Sequence, residues 1–208
     1  MTAPLWQPNM SMISRTAAAA LRAHIGARTG RHLADFDALH AYSVNEIEDF
    51  WSQFWDFAGV VGDKGAAPFL IDADPMPGAR FFPDARLNYA ENVLRHSGEG
   101  TALVFWGENK VKRRVSWAEL NRMTAAFQSL YRDAGVGIGD RVAAIMPNMP
   151  EAIGGLLGAA AMGALWSSCS PDFGVEGVLD RFGQIEPTVL VAVDGYHYAG
   201  KQHRLLER

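Results

Sequence analysis

RVAAIMPNMPEAIGGLLGAAAMGALWSSCSPDFGVEGVLDRFGQIEPTVLVAV, residues 141–193, is the stretch on which the fold turns. RVAAIM is a short apolar run of strand length. Asn148, with Glu151 three residues on and Pro150 near the first turn, signals a helix start, and that helix runs to Gly163. ALWSS then reads as a strand, VEGVLDRFGQI as a helix and TVLVAV as a strand. The order is β-α-β-α-β with short connections. Strands joined through helices in this way form a parallel sheet with right-handed crossovers, an α/β fold.

One connection stands out. SSCSPDFG, residues 167–174, follows a strand and precedes a helix. In an open parallel sheet, ligands bind in the crevice beyond the carboxyl ends of the strands. Small hydroxyls and loop amides there can receive a polar ligand, or they can make a tight turn and cap the next helix. The residues alone leave both readings open.

Outward from this core, TALVFWGE and KVKRRVSW read as a strand pair separated by Asn109 and Lys110. Ser116 with Glu119 is a capping box that opens a helix to about Ala134. GVGIGD, residues 135–140, has the glycines of a nucleotide fingerprint in the wrong order. A phosphate loop follows a strand and opens a helix, whereas here a helix ends and a strand begins. It reads as a glycine cap and turn.

The first 97 residues have a different texture, aromatic and irregular. Ser11 or Ser14 starts a helix to about Ala27. In SVNEIEDFWSQFWDF, Ser43 and Glu46 have capping-box spacing, and Ile47, Phe50, Trp51, Phe54, Trp55 and Ala58 share one helical face that reads as core, with Gly59 as the C-cap. A long Pro-, Gly- and Asp-rich loop follows, then a short helix in RLNYAENVLRH. Gly98 and Gly100 mark a boundary, giving segments 1–97 and 98–208.

Composition narrows the function. The chain has 208 residues, 49% hydrophobic and 20% charged, with a net charge of −4. That is ordinary globular composition, with no long basic run to suit nucleic acid. The single cysteine, Cys169, excludes a disulfide framework and fits a reducing compartment. The N-terminal stretch lacks the basic and apolar regions of a signal peptide. The longest apolar run, residues 152–166, is shorter than the ~20 residues of a membrane helix and carries four glycines. A soluble cytoplasmic protein is expected. No Walker-type loop and no G-x-S-x-G elbow occur, and the six histidines show no metal-ligand spacing. Lys201, after the last strand, reads by itself as solvated surface or as an anion contact.

RFFPDARLNYAEN, GDRVAAIMPNMPEAI, GALWSSCSPDFG, VLDRFGQIEP and DGYHYAGK together resemble the acyl-adenylating, AMP-binding superfamily, and within it the acetoacetate–CoA ligases. The similarity runs from PLWQP at Pro4 onward. FWSQFWDF resembles the N-terminal cap segment of acetyl-CoA synthetase-like enzymes. The resemblance implies that 1–97 is that cap and 98–208 the start of the AMP-binding large domain. It implies a two-step ligase that uses ATP, CoA and Mg2+ to convert acetoacetate to acetoacetyl-CoA through acetoacetyl-AMP. In this family the phosphate loop, the adenine and ribose contacts, the hinge and the adenylation lysine lie downstream. The chain is therefore expected to be an N-terminal part, inactive alone, with no catalytic and no metal-binding residue of its own. What it would carry is the CoA side. Ser170, Pro171 and Asp172 match an F-G-G turn, and Tyr198-Ala199-Gly200-Lys201 matches an R-x-G-[RK] stretch in which Tyr198 replaces the arginine. Gly200 and Lys201 would face a CoA phosphate, and the serine loop would shape the pantetheine path. An acetyl- or propionyl-CoA synthetase-like ligase and a non-catalytic interaction module with a ligase-like fold are the alternatives. A dinucleotide-binding domain has the same strand order but lacks its glycine fingerprint here.

Overall fold

A computed structural model describes residues 4–74, 77–108 and 111–206. The chain divides into two compact units, one ending at Leu87 and the other beginning at Asn88.

The first unit is mainly helical. Asn9 caps α1 (Met10–Ser14) by accepting the Met12 N–H, and Thr16 caps α2 (Ala17–Thr29) by accepting the Ala19 N–H. One continuous helix from Ser11 or Ser14 was expected. The chain instead turns extended at Thr16, whose hydroxyl starts a second helix. Asp35 caps α3 (Phe36–Asn45), and α4 spans Ile47–Ala58. Ser43 is therefore no N-cap. It lies inside α3, its hydroxyl donates to the His40 carbonyl at 2.8 Å, and α4 begins after Glu46 without a side-chain cap. Gly59 does close α4 in the left-handed region, at φ 60°.

Leu21, Ile25, Leu39 and Tyr42 form the core of this unit, with Phe50 and Phe57 packed on it. The Tyr42 hydroxyl donates to Asp49 at 2.6 Å, and burial, reinforced by that carboxylate, pushes the phenol pKa up. The aromatic face of α4 is only partly core. Trp51 is 40% exposed and meets Phe50, Phe54 and Phe81 edge-on, while Trp55 is half-buried against Phe82. Beyond α4, β1 (Leu70–Ile71) pairs with β2 (Arg80–Phe81), and Asp63 and Arg86 bridge antiparallel through reciprocal backbone bonds of 2.8 Å.

The second unit holds the parallel sheet. Asn88 caps α5 (Tyr89–Leu94) through its side-chain oxygen. Strands β3 (Thr101–Gly107) and β4 (Val111–Ser116) pair antiparallel, and the Asn109-Lys110 separator lies outside the described residues. The Ser116–Glu119 capping box forms as read and opens α6 (Trp117–Asp133). Then come β5 (Arg141–Ile145), α7 (Pro150–Ala161), β6 (Leu165–Cys169), α8 (Val175–Gly183) and β7 (Val189–Ala192). The sheet order is β6-β5-β7, all parallel, with Val142 opposite Trp166 and Val189. Its central strand is the most buried part: Val142, Ala143 and Ala144 have no exposed surface.

The start of α7 differs from the sequence reading. Met149, not Asn148, precedes α7, and no side chain caps that helix; proline at the first position has no N–H to satisfy. The Asn88 amide donates instead to the last-turn carbonyls of α7, Ala160 at 3.0 Å and Ala161 at 3.3 Å. The glycines of α7 serve its contact with α6. A Cβ on Gly158 would stand 2.8 Å from the Phe127 Cβ, too close for packed carbons. Across the same contact the buried Tyr131 hydroxyl donates to the Gly155 carbonyl at 3.3 Å, and burial raises its pKa. Beyond the sheet, β8 (Gly195–Tyr198) and β9 (Lys201–Arg204) form an antiparallel hairpin. Among the described residues no helix is long and apolar enough to cross a membrane.

Candidate functional site

The strand-end loop is a self-bonded turn. Past Cys169 at the end of β6, the Ser170 hydroxyl donates to Asp172 Oδ2 at 3.1 Å. The Asp172 N–H donates back to Ser170 Oγ at 3.3 Å, and the Phe173 N–H to the Ser170 carbonyl at 3.2 Å. Pro171 between them is buried. The polar side chains make a turn but cap nothing, since α8 follows Gly174 without a side-chain cap bond. Their hydroxyl and carboxylate lie exposed beyond the sheet, where a parallel α/β fold places its ligands.

The other carboxylate oxygen reaches a second segment. The Tyr196 hydroxyl, on β8, donates to Asp172 Oδ1 at 2.5 Å. The Tyr196 ring stacks on that of His203 in β9, with centroids 5.0 Å apart and planes 17° off parallel. The loop after β6 and the β8–β9 hairpin are thus one bonded group. Ser170, Asp172, Gly200 and Lys201, separate in sequence, all belong to it. Among the described residues the Lys201 ammonium forms no ion pair or hydrogen bond, and the residue is exposed. An open cleft of about 500 Å³ runs along the hairpin, lined by Asp194, Tyr196, His197, Gln202 and Arg204; Lys201 lies outside its lining.

The hairpin tip is held from elsewhere again. Ala199 and Gly200 both lie at positive φ, 51° and 73°, as the two central residues of a tight two-residue hairpin turn. Their N–H groups donate to Glu108 Oε1 at 2.6 Å and Oε2 at 3.3 Å. Glu108 follows β3, 91 residues upstream of Ala199, so no local pattern announces it. Tyr196 was missed for the same reason, lying 24 residues from its partner Asp172.

Cys169 is buried, and that burial raises its thiol pKa, against a smaller opposite pull from Arg181. The Arg181 guanidinium sits 4.3 Å from the centre of the Phe173 ring. Among the described residues no three His, Cys, Asp or Glu side chains gather as a metal site. The arrangement is an exposed lysine on a hairpin that is bonded, through Tyr196, to the polar turn after β6.

Comparison with known proteins gives this surface a context. The model described as AMP-binding enzyme matches residues 90–207, and that described as acetyl-coenzyme A synthetase N-terminus matches residues 36–93. The acetoacetyl-coenzyme A synthetase of Rhizobium meliloti (strain 1021) is 51% identical over 199 residues, 96% of this chain and 30% of its own length. The acetoacetyl-CoA synthetase of Macaca fascicularis is 40% identical over 210 residues, 98% of this chain and 30% of its own. The solved structure of acetoacetyl-CoA synthetase from Streptomyces lividans superposes with a TM-score of 0.89 at 40% identity, covering 99% of this chain and 32% of that one. The chain spans about 30% of the length of these curated relatives.

Proposed function

The chain belongs to the AMP-binding enzyme family, and from that premise we propose that it is the N-terminal part of an AMP-forming acetoacetate–CoA ligase. The observation that carries this reading is the 51% identity to an acetoacetyl-coenzyme A synthetase over 96% of the chain. In the same reading residues 1–97 are the cap segment and 98–208 the opening of the AMP-binding domain. The protein works in the cytoplasm on small molecules: acetoacetate, ATP and CoA.

The chemistry follows from the poor electrophilicity of a carboxylate. An acetoacetate oxygen attacks the α-phosphorus of ATP, pyrophosphate leaves, and the acyl group becomes a mixed anhydride with AMP as leaving group. The CoA sulfur then attacks the acyl carbon, and AMP departs with the electron pair of the broken C–O bond. Magnesium customarily screens the nucleotide phosphates in such reactions. The ATP contacts of this family lie downstream of these residues, and the magnesium would be held there with the nucleotide.

This chain's share is the second substrate. Lys201, exposed and unpaired among the described residues, offers its charge to a CoA phosphate, with Gly200 leaving room for close approach. Ser170, Pro171 and Asp172 act as a formed turn beside the pantetheine arm, because Ser170 and Asp172 are already bonded to each other. The test is product analysis with the longer protein. Acetoacetate, ATP and CoA should yield acetoacetyl-CoA and AMP in equal amounts. Release of ADP, or turnover of acetate or propionate in preference to acetoacetate, would overturn the proposal.

A further inference from the structure

We infer that Glu108 is a positioning residue for the CoA step: it holds the β8–β9 turn so that Lys201 meets its ligand. The inference rests on Lys201 being a CoA contact and concerns how that contact is kept in place.

A two-residue hairpin turn leaves the N–H groups of its central residues pointing outward, without partners in the ladder. Here a single carboxylate accepts both, the Ala199 N–H at 2.6 Å and the Gly200 N–H at 3.3 Å. Ala199 is also a residue with a Cβ at φ 51°, a conformation that such residues rarely hold unaided. Lys201 is the next residue along and opens β9, paired with Tyr198. Glu108 thus fixes the backbone from which the lysine projects. The other side of the hairpin is anchored independently, by Tyr196 on Asp172. Tip and flank are each pinned by a carboxylate from a different connection of the same unit.

The same geometry raises a rival role. Adjacent outward-pointing amides make an anion-binding concavity, and Glu108 fills it. If a CoA phosphate had to enter that concavity, Glu108 would compete with it, and removing the carboxylate would tighten CoA binding. If Glu108 positions the turn, removal weakens binding. The two roles predict opposite signs.

The experiment is steady-state kinetics on the longer protein, varying CoA, beside acetoacetate-dependent ATP–pyrophosphate exchange, which involves no CoA. For Glu108→Ala the KM for CoA should rise roughly five- to tenfold, the size of one or two lost charge-assisted bonds, with exchange within about twofold of the parent. Glu108→Gln keeps one acceptor oxygen but sets an NH2 against the second N–H, so its CoA KM should fall between those of the parent and Glu108→Ala. It replaces Glu108→Ala in the comparison if that variant lacks exchange. Because the effect runs through Lys201, Glu108→Ala placed on Lys201→Ala should add less than about twofold to the CoA KM. A fall in KM for CoA, or fully additive effects, would overturn the inference. If Lys201→Ala raises the CoA KM and Glu108→Ala does not, the positioning role fails while the CoA reading stands. If neither moves it, both fail.

Discussion

Replacing Gly158 by alanine sets two opposed effects against each other. In an open helix the change stabilises by about 1 kcal/mol, because alanine has the higher helix propensity. At Gly158 the new Cβ would lie 2.8 Å from the Phe127 Cβ and 3.4 Å from the Gln128 nitrogen and the Thr124 carbonyl. Carbon pairs are comfortable at roughly 3.5–4.0 Å. The contact therefore opens by most of an ångström. The Phe127 Cβ is fixed to the backbone of α6, so α6 and α7 must separate rather than a side chain swing away. Overpacking of this kind costs about 1–3 kcal/mol, leaving a net loss of up to about 2 kcal/mol after the propensity gain. Gly183, the last residue of α8, has nothing within 4 Å of its Cβ direction and supplies the control. There the same substitution should be neutral or stabilising by up to about 1 kcal/mol. Thermal unfolding of the two variants beside the parent checks this, with the melting point of Gly158→Ala lower by up to roughly 8 °C. A melting point for Gly158→Ala at or above that of Gly183→Ala would refute the close α6–α7 contact.

The core of the first unit predicts a contrast between two large residues. Ile25 has no exposed surface, and Ile25→Ala should cost about 2–5 kcal/mol in urea unfolding; Trp51, 40% exposed, should cost well under that on the same change. The Ser116 backbone N–H, donating to Glu119 across the capping box, holds that carboxyl below its usual pKa range. A depressed folded pKa adds stability above the unfolded value and loses it as pH falls through the folded one. Glu119→Gln should therefore flatten the acid limb of the stability curve below about pH 5 while changing neutral pH least in slope, as pH-dependent unfolding would read. Lys201→Ala should raise the KM for CoA about tenfold, the size of one lost phosphate contact, while acetoacetate-dependent pyrophosphate exchange persists; loss of exchange with an unchanged CoA KM would contradict its place on the CoA side.

The sequence and the structure agree where a signal is local and reciprocal. The strands of the parallel sheet are short apolar runs broken by glycine and proline, and all three form where they were read. The Ser116–Glu119 box forms because each partner satisfies the other's backbone donor. Ser43 and Glu46 have the same spacing and form nothing of the kind. Asp35 starts a helix eight residues earlier, and burial of Leu39 and Tyr42 against Leu21 and Ile25 holds Ser43 inside it. Tertiary packing overrode a pattern that was locally sound. The hairpin β8–β9 escaped because its strands carry Tyr, His, Lys and Gln rather than alternating apolar residues, and because Ala199, not Asn or Asp, takes the first left-handed position. At the site, the loop residues could be picked out by their place after a strand. Their partners could not. Tyr196 and Glu108 act through bonds across 24 and 91 residues, which no spacing rule encodes.

We propose that these residues open a ligase that activates acetoacetate as an acyl-adenylate. Acid-dependent ATP–pyrophosphate exchange tests it most directly, run with acetoacetate, acetate and propionate on the 208-residue chain and on the longer protein that contains it. Exchange is expected from the longer protein, fastest with acetoacetate, and none from the 208-residue chain alone. Exchange driven best by acetate or propionate, or no exchange by the longer protein with any of the three acids, would contradict it.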